Sequence, residues 1–195
     1  MDRTVTWHQA ERLAPVSDRP AWLAARRTRI TSTDVAKAMT PSGWRQVVSE
    51  KLYGIQHPDN AYMDHGRKRE PVLAAMARNR YGVLPNEYLY ARGRYAATPD
   101  GVHPDKPQLS EIKTATRAMP RTFPRIYRDQ VYLAQYVFDA ERTLLVWEHH
   151  KDGVPIDIEP EFRWLERDDD RIQELINKGD QLADFLTAEG LTIAN

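Results

Sequence analysis

The chain has no cysteine in its 195 residues. That removes disulfides, cysteine nucleophiles, zinc fingers and cysteine-held iron–sulfur clusters together. No run approaches the ~18 consecutive apolar residues that a membrane span requires. The opening residues, MDRTVTWHQAER, are charged and lack the apolar stretch of a signal peptide, so a cytoplasmic location is expected. There is no internal repeat, low-complexity tract or long linker. The six histidines, at 8, 57, 65, 103, 149 and 150, make no HExxH spacing. His149 and His150 would face opposite ways on a strand. Any metal is therefore expected on carboxylates, which suits hard cations such as Mg²⁺ or Mn²⁺.

A hydrophobic fraction of 41% and a charged fraction of 29% are those of an ordinary globular protein. The length suits a single domain over 1–195. Within it, a helical N-terminal part is expected over about 1–82, and a sheet with helices over about 83–195. The formal net charge is zero, so bulk electrostatics announce no nucleic-acid partner. The distribution says more. Of 28 cations, 21 are arginine and 7 lysine, and they cluster: Arg26, Arg27 and Arg29; Arg67, Lys68 and Arg69; Arg117, Arg121, Arg125 and Arg128. Arginine is the better fork for phosphate oxygens.

Asp18 with Pro20 predicts a short helix to about Arg27. Ser32 or Thr33 starts a second, through Met39, and Gly43 to Tyr53 reads as a third. A longer helix is expected over about Asp64 to Tyr81, with Val72, Leu73, Met76 and Ala77 on its apolar stripe. Glu87 to Tyr90, Arg94 to Thr98 and Leu109 to Thr114 read as short strands. Pro124 to Phe138 reads as a helix, Thr143 to His149 and Val154 to Glu159 as strands. A last amphipathic helix spans about Arg167 to Ala188, with Ile172, Leu175, Ile176, Leu182, Phe185 and Leu186 inward. This is an α/β domain with a mixed central sheet flanked by helices.

The chemistry-bearing stretch is Thr98-Pro99-Asp100-Gly101 followed by Glu111-Ile112-Lys113. On a strand Glu111 and Lys113 share a face and Ile112 points to the opposite layer. Asp100, at the end of the preceding strand, reaches the same spot if the two strands pair as a hairpin, with Gly101 allowing the turn. Two carboxylates would then converge on a cation beside an ammonium, which suits metal-assisted phosphodiester hydrolysis. Glu70, near the start of the long helix, is a further acid.

These residues resemble a known family, the YqaJ-type viral recombinases, which include the lambda phage exonuclease and share a restriction-endonuclease-like PD-(D/E)XK core. Four blocks carry the resemblance: Trp22-x3-Arg26-x3-Ile30-Thr31-x-Thr33; Gly66-x3-Glu70; Thr98-Pro99-Asp100-Gly101 with Glu111-x-Lys113; and Tyr127-x2-Gln130 followed by a strand. The resemblance implies a 5′→3′ exonuclease on double-stranded DNA ends, leaving 3′ tails for a single-strand annealing protein, with a ring trimer as the oligomer. It implies two Mg²⁺ or Mn²⁺ ions held by Asp100, Glu111 and the Ile112 carbonyl, with Glu70 as an auxiliary acid and candidate ligand. Lys113 would be the catalytic lysine and Gln130 the active-site glutamine. Arg26, Thr33 and Thr98 would form a 5′-phosphate pocket. The chain departs from the family at Thr33 and Thr98, where serine is usual, and at Tyr132, where a second glutamine is common. That leaves Gln130 and Gln135 as alternatives. The same fold also serves structure- or sequence-specific endonucleases, and non-enzymatic DNA binding is a third reading.

Overall fold

The chain opens on a strand that its local pattern does not announce. β1 (Glu11–Pro15) pairs antiparallel with a strand some seventy residues later. The computed structural model describes residues 7–55 and 61–194, without the side chains of 61–63. Residues 1–6 and His57 therefore lie outside the described residues. α1 (Arg19–Arg27) starts as expected, with Asp18 accepting from the Ala21 amide and Pro20 in the first turn. β2 (Ile30–Thr31) leads into α2 (Ser32–Ala38), whose N-cap is Thr31 rather than Ser32 or Thr33. Thr31 and Asp34 cap each other's backbone reciprocally, and the helix starts at Ser32, one of the two starts expected. α3 (Pro41–Tyr53) ends on Gly54 at φ 66°, and α4 runs Ala61–Tyr81.

Five short strands follow: β3 (Leu84–Pro85), β4 (Tyr88–Arg92), β5 (Tyr95–Ala97), β6 (Gly101–Val102) and β7 (Gln108–Ala115). α5 (Arg125–Phe138) then crosses to β8 (Arg142–Lys151). β9 (Val154–Pro155), β10 (Glu161–Glu166) and α6 (Asp169–Ala188) complete the chain. The strand expected over Val154 to Glu159 shrinks to two residues, and β10 follows where no strand was expected.

The described residues form two sheets. The main one has the order β10-β8-β7-β6-β3, with β9 folded onto β8. Its centre is the parallel β7–β8 pair, and every other pairing in it is antiparallel. A parallel pair needs a crossover, and α5 supplies it. The second sheet, β1-β4-β5-β2, draws β1 and β2 out of the N-terminal part, which is therefore not wholly helical.

Helices cover both faces of the main sheet, as the α/β reading expects. Leu73, Ala74 and Ala77 of α4 pack on Ile112, Leu144 and Val146. On the other face Val131 of α5 meets Leu145 and Trp147. Leu133, Val137 and Phe138 join Leu109, and α6 closes over them with Ile172, Leu175, Leu182 and Leu186. Two stripe assignments shift by about 100°, one residue along the helix. Val72 and Met76 are exposed while Ala74 is buried; Phe185 is exposed while Ala183 is buried. Small alanines sit where helix and sheet approach closely, which apolarity alone does not reveal.

Candidate active site

β7 holds the centre. Its alternation turns Ile112 toward α4 and Glu111 and Lys113 toward α5. Glu111 is 4% exposed. Its Oε1 accepts from Lys113 Nζ at 2.5 Å and from Gln130 Nε2 at 2.9 Å. Lys113 Nζ also lies 5.1 Å from the centre of the Tyr127 ring, one turn before Gln130 on α5. Gln135 is elsewhere: it is fully buried and donates to Thr143 Oγ1 and the Leu165 carbonyl. Of the two glutamines, the one that meets the acidic pair is Gln130.

Asp100 does not arrive on a hairpin between β5 and β7. The short β6 intervenes and pairs with β7, and Asp100 sits just ahead of it. The Asp100 amide donates to the Ser110 carbonyl at 3.1 Å, and its Oδ2 accepts from the Ile112 amide at 2.6 Å. In a strand the N–H and C=O of one residue point to the same side. The Ile112 carbonyl therefore opens toward the edge where Asp100 stands. Gly101 is needed for space rather than for a turn. A Cβ there would fall 2.4 Å from Ser110 Oγ and 2.9 Å from the Leu84 carbonyl oxygen.

The electrostatics follow from this crowding. Burial and the neighbouring Glu111 charge hold the Asp100 carboxyl well above the usual carboxylate range. Glu70 on α4, though largely exposed, is also raised, by partial burial and by the Glu111 charge. Burial alone would lower Lys113, but the Glu111 and Asp100 carboxylates together raise it above an ordinary lysine. Among the described residues no three His, Asp or Glu side chains are gathered tightly enough to hold an ion by themselves. Mg²⁺ needs less: one or two carboxylates, with waters and substrate phosphates completing its shell. Asp100, Glu111 and the Ile112 carbonyl are a donor set of that kind. Two carboxylates forced together with a single ammonium are also the charge imbalance that a divalent cation relieves.

The arginine expected to meet a 5′-phosphate is half-buried at the end of α1. Arg26 stacks 4.4 Å over the Trp22 ring, and its Nη2 donates to Thr31 Oγ1 at 3.5 Å. Burial lowers its pKa, while Asp34 opposes the shift. The hydroxyl meeting Arg26 is thus that of Thr31. Thr33 is half-buried in the first turn of α2. Thr98 follows β5, which pairs in parallel with β2, and its Oγ1 is buried with no hydrogen-bond partner among the described residues. Sequence reasoning gave Thr31 no part in this group and Tyr127 no contact with Lys113. The spacing of Tyr127 and Gln130, three apart on one helix face, was the available signal for the second.

A mixed sheet between two helix layers, with Asp100 just ahead of β6 and Glu111 and Lys113 on its central strand β7, is the fold of a nuclease of the PD-(D/E)XK type. The chain belongs to the YqaJ-like viral recombinase domain family, whose model matches residues 21–147. Solved structures agree. An alkaline exonuclease from Laribacter hongkongensis is 25% identical, with 87% of this chain and 93% of that chain covered and a TM-score of 0.69. The same protein in complex with dAMP aligns at 24% identity over the same shares, with a TM-score of 0.70. A phage-related exonuclease from Haemophilus somnus 129PT shares the fold at 14% identity, 83% and 96% coverage and a TM-score of 0.64. No curated protein matches the chain. Among the described residues no helix is long and apolar enough to cross a membrane.

Proposed function

We propose that this protein is a metal-dependent exonuclease that digests linear double-stranded DNA in the 5′→3′ direction. Its product, a 3′ single-stranded tail, would pass to a single-strand annealing protein in the host cytoplasm. The carrying observation is the Asp100–Glu111–Lys113–Gln130 cluster, with Glu70 in electrostatic reach. In this reading Asp100, Glu111 and the Ile112 carbonyl hold Mg²⁺ or Mn²⁺, and Glu70 stands by for a second ion. Bound there, a divalent ion supplies a polarised phosphoryl oxygen and a water of lowered pKa.

The protein's own groups do the rest. Lys113 keeps its proton, since its carboxylate neighbours raise its pKa. It therefore serves as a donor to negative charge on the scissile phosphate rather than as a base. Gln130 and Lys113 together fix the rotation of the Glu111 carboxylate. Arg26 with Thr31, Thr33, and the Thr98 hydroxyl, unpartnered among the described residues, offer a fork and donors to a terminal phosphate, which favours end recognition over internal cutting. A homo-oligomer, a ring trimer by family likeness, would account for processive digestion.

The test is a digestion time course on end-labelled linear duplex, with and without a 5′-phosphate, in Mg²⁺ or chelator, beside a closed circle. Mg²⁺-dependent loss of the linear substrate, faster with the phosphate and with the circle intact, supports the proposal. Cutting of the circle would move the assignment to an endonuclease on the same site. Binding without metal-dependent turnover would make the chain a non-enzymatic DNA-binding module.

A further inference from the structure

Glu70 stands on a stretch of helix that its own backbone supports poorly. Pro71 lies inside α4 and has no N–H for the Arg67 carbonyl. An interior proline weakens the helical turn that precedes it. The residues ahead of Pro71 therefore depend on anchors from outside the helix, and these come from the end of β8.

Arg69 donates from Nε to both oxygens of Glu148, at 2.9 and 3.0 Å, and from Nη2 to Oε2 at 2.6 Å. Glu148 is 4% exposed. One turn earlier His65 lies against His150, with ring centroids 4.1 Å apart, and His65 Nε2 is 3.7 Å from Glu148 Oε1. His150 is 3% exposed, and among the described residues neither its buried Nδ1 nor His65 Nε2 has a hydrogen-bond partner. None of these four residues belongs to the catalytic cluster, and Arg69 is the neighbour of Glu70 in the chain.

We propose that Arg69, Glu148, His65 and His150 form a latch that positions Glu70 against the Asp100–Glu111–Lys113 centre, and that a proton on His150 opens it. The charged groups around His150 are His65 on α4, Glu148 and His149 on its own strand and Asp152 in the following turn. The Glu148 charge is already shared with Arg69, and Asp152 is exposed. An imidazolium at His150 thus lacks a full counter-charge and pushes against His65. Burial already disfavours that proton, so the latch is closed at neutral and alkaline pH and strained toward acid.

This inference rests on the reading of Glu70 as an acid of the nuclease centre. The test compares wild type, Arg69→Gln, Glu148→Gln and the double variant in Mg²⁺-dependent digestion of linear duplex, with thermal unfolding as the check on folding. Each single variant should lose about tenfold in kcat with KM within about twofold, and the double should be no worse than the poorer single. A raised KM with unchanged kcat would make Arg69 a DNA contact, and additive losses would uncouple the pair; either overturns the latch. In His150→Phe the ratio of kcat at about pH 6 to that at about pH 8 should exceed the wild-type ratio several-fold. An unchanged ratio removes the proton step.

Hydrogen exchange of the wild-type protein needs no variant. Corrected for intrinsic rates, protection over 64–70 should fall relative to 72–81 between about pH 8 and pH 6. Equal protection at both pH values refutes the latch. A wild-type protein that digests nothing would sink the nuclease reading while leaving this exchange result standing. A fully active Arg69→Gln would do the reverse.

Discussion

Gln130 and Lys113 donate to one and the same oxygen of Glu111, Oε1, from a helix and from the strand that bears it. Two donors on one oxygen set the carboxylate's rotation and leave Oε2 for a ligand. Gln130→Ala should lower kcat by about 10–100-fold, the usual loss when a group orienting a metal-binding carboxylate is removed. Gln130→Glu should be worse, since it brings a further negative charge to Asp100 and Glu111. Steady-state digestion rates of the two variants decide this; equal activity to wild type would refute the orienting role.

Asp100 is expected to trade stability for activity. Its folded-state pKa is raised, so its ionised form is disfavoured in the fold. The penalty is present above the folded pKa and vanishes below the unfolded value of about 3.9. In chelator at neutral pH, Asp100→Asn should raise Tm by roughly 2–4 °C per kcal/mol of repulsion removed. The asparagine oxygen can still accept from the Ile112 amide. Added Mg²⁺ should raise the Tm of wild type but not of this variant, and the variant should be inactive. Thermal melts with and without Mg²⁺ report both outcomes.

Asp34 and Lys51 make the opposite prediction. Lys51 Nζ lies 2.8 Å from Asp34 Oδ2 and donates to the carbonyls of Arg26 and Arg29 at 2.6 and 2.7 Å. Burial alone would raise the Asp34 pKa, but the Lys51 and Arg26 charges win and lower it. A depressed folded pKa means stability that is complete above about pH 3.9 and is lost as pH falls through the lower folded value. Asp34→Ala leaves a buried ammonium unpaired and removes half of the α2 cap, and should destabilise by about 3–5 kcal/mol. Denaturant unfolding at neutral pH measures it. Because Lys51 ties the end of α1, Lys51→Met should also weaken the 5′-phosphate preference through Arg26.

The end-recognition pocket has a direct test. Arg26→Gln should abolish the rate advantage of a 5′-phosphorylated end while leaving residual digestion of a 5′-hydroxyl end. Thr98→Val should reduce the same advantage by about 1–3 kcal/mol of lost hydrogen bonding to a charged group, or about 5–150-fold. Competition between phosphorylated and unphosphorylated duplexes gives the ratio. A variant that slows both substrates equally would place these residues outside the pocket.

Much of the fold was legible in the residues themselves. Asp18 with Pro20, the alternation across β7, the long α4 and the amphipathic α6 are local signals, and local chemistry is what a sequence displays. The shared face of Glu111 and Lys113 followed from a period of two and nothing else. β1, β3 and β6 were not legible, because strands of two to five residues carry almost no periodicity and form only where a distant partner meets them. For the same reason Asp100 was placed on the wrong strand pair.

By itself the sequence singled out the candidate site residues: the acids Glu70, Asp100 and Glu111, Lys113, and a glutamine that could have been Gln130 or Gln135. The tertiary structure decided which glutamine turns toward Glu111, that the Thr31 hydroxyl meets Arg26, and that Arg69 and His65 fasten α4 to Glu148 and His150. Each of those joins residues from different elements, apart in sequence or turned by a helix cap. Their meeting depends on how layers pack, which no local spacing records.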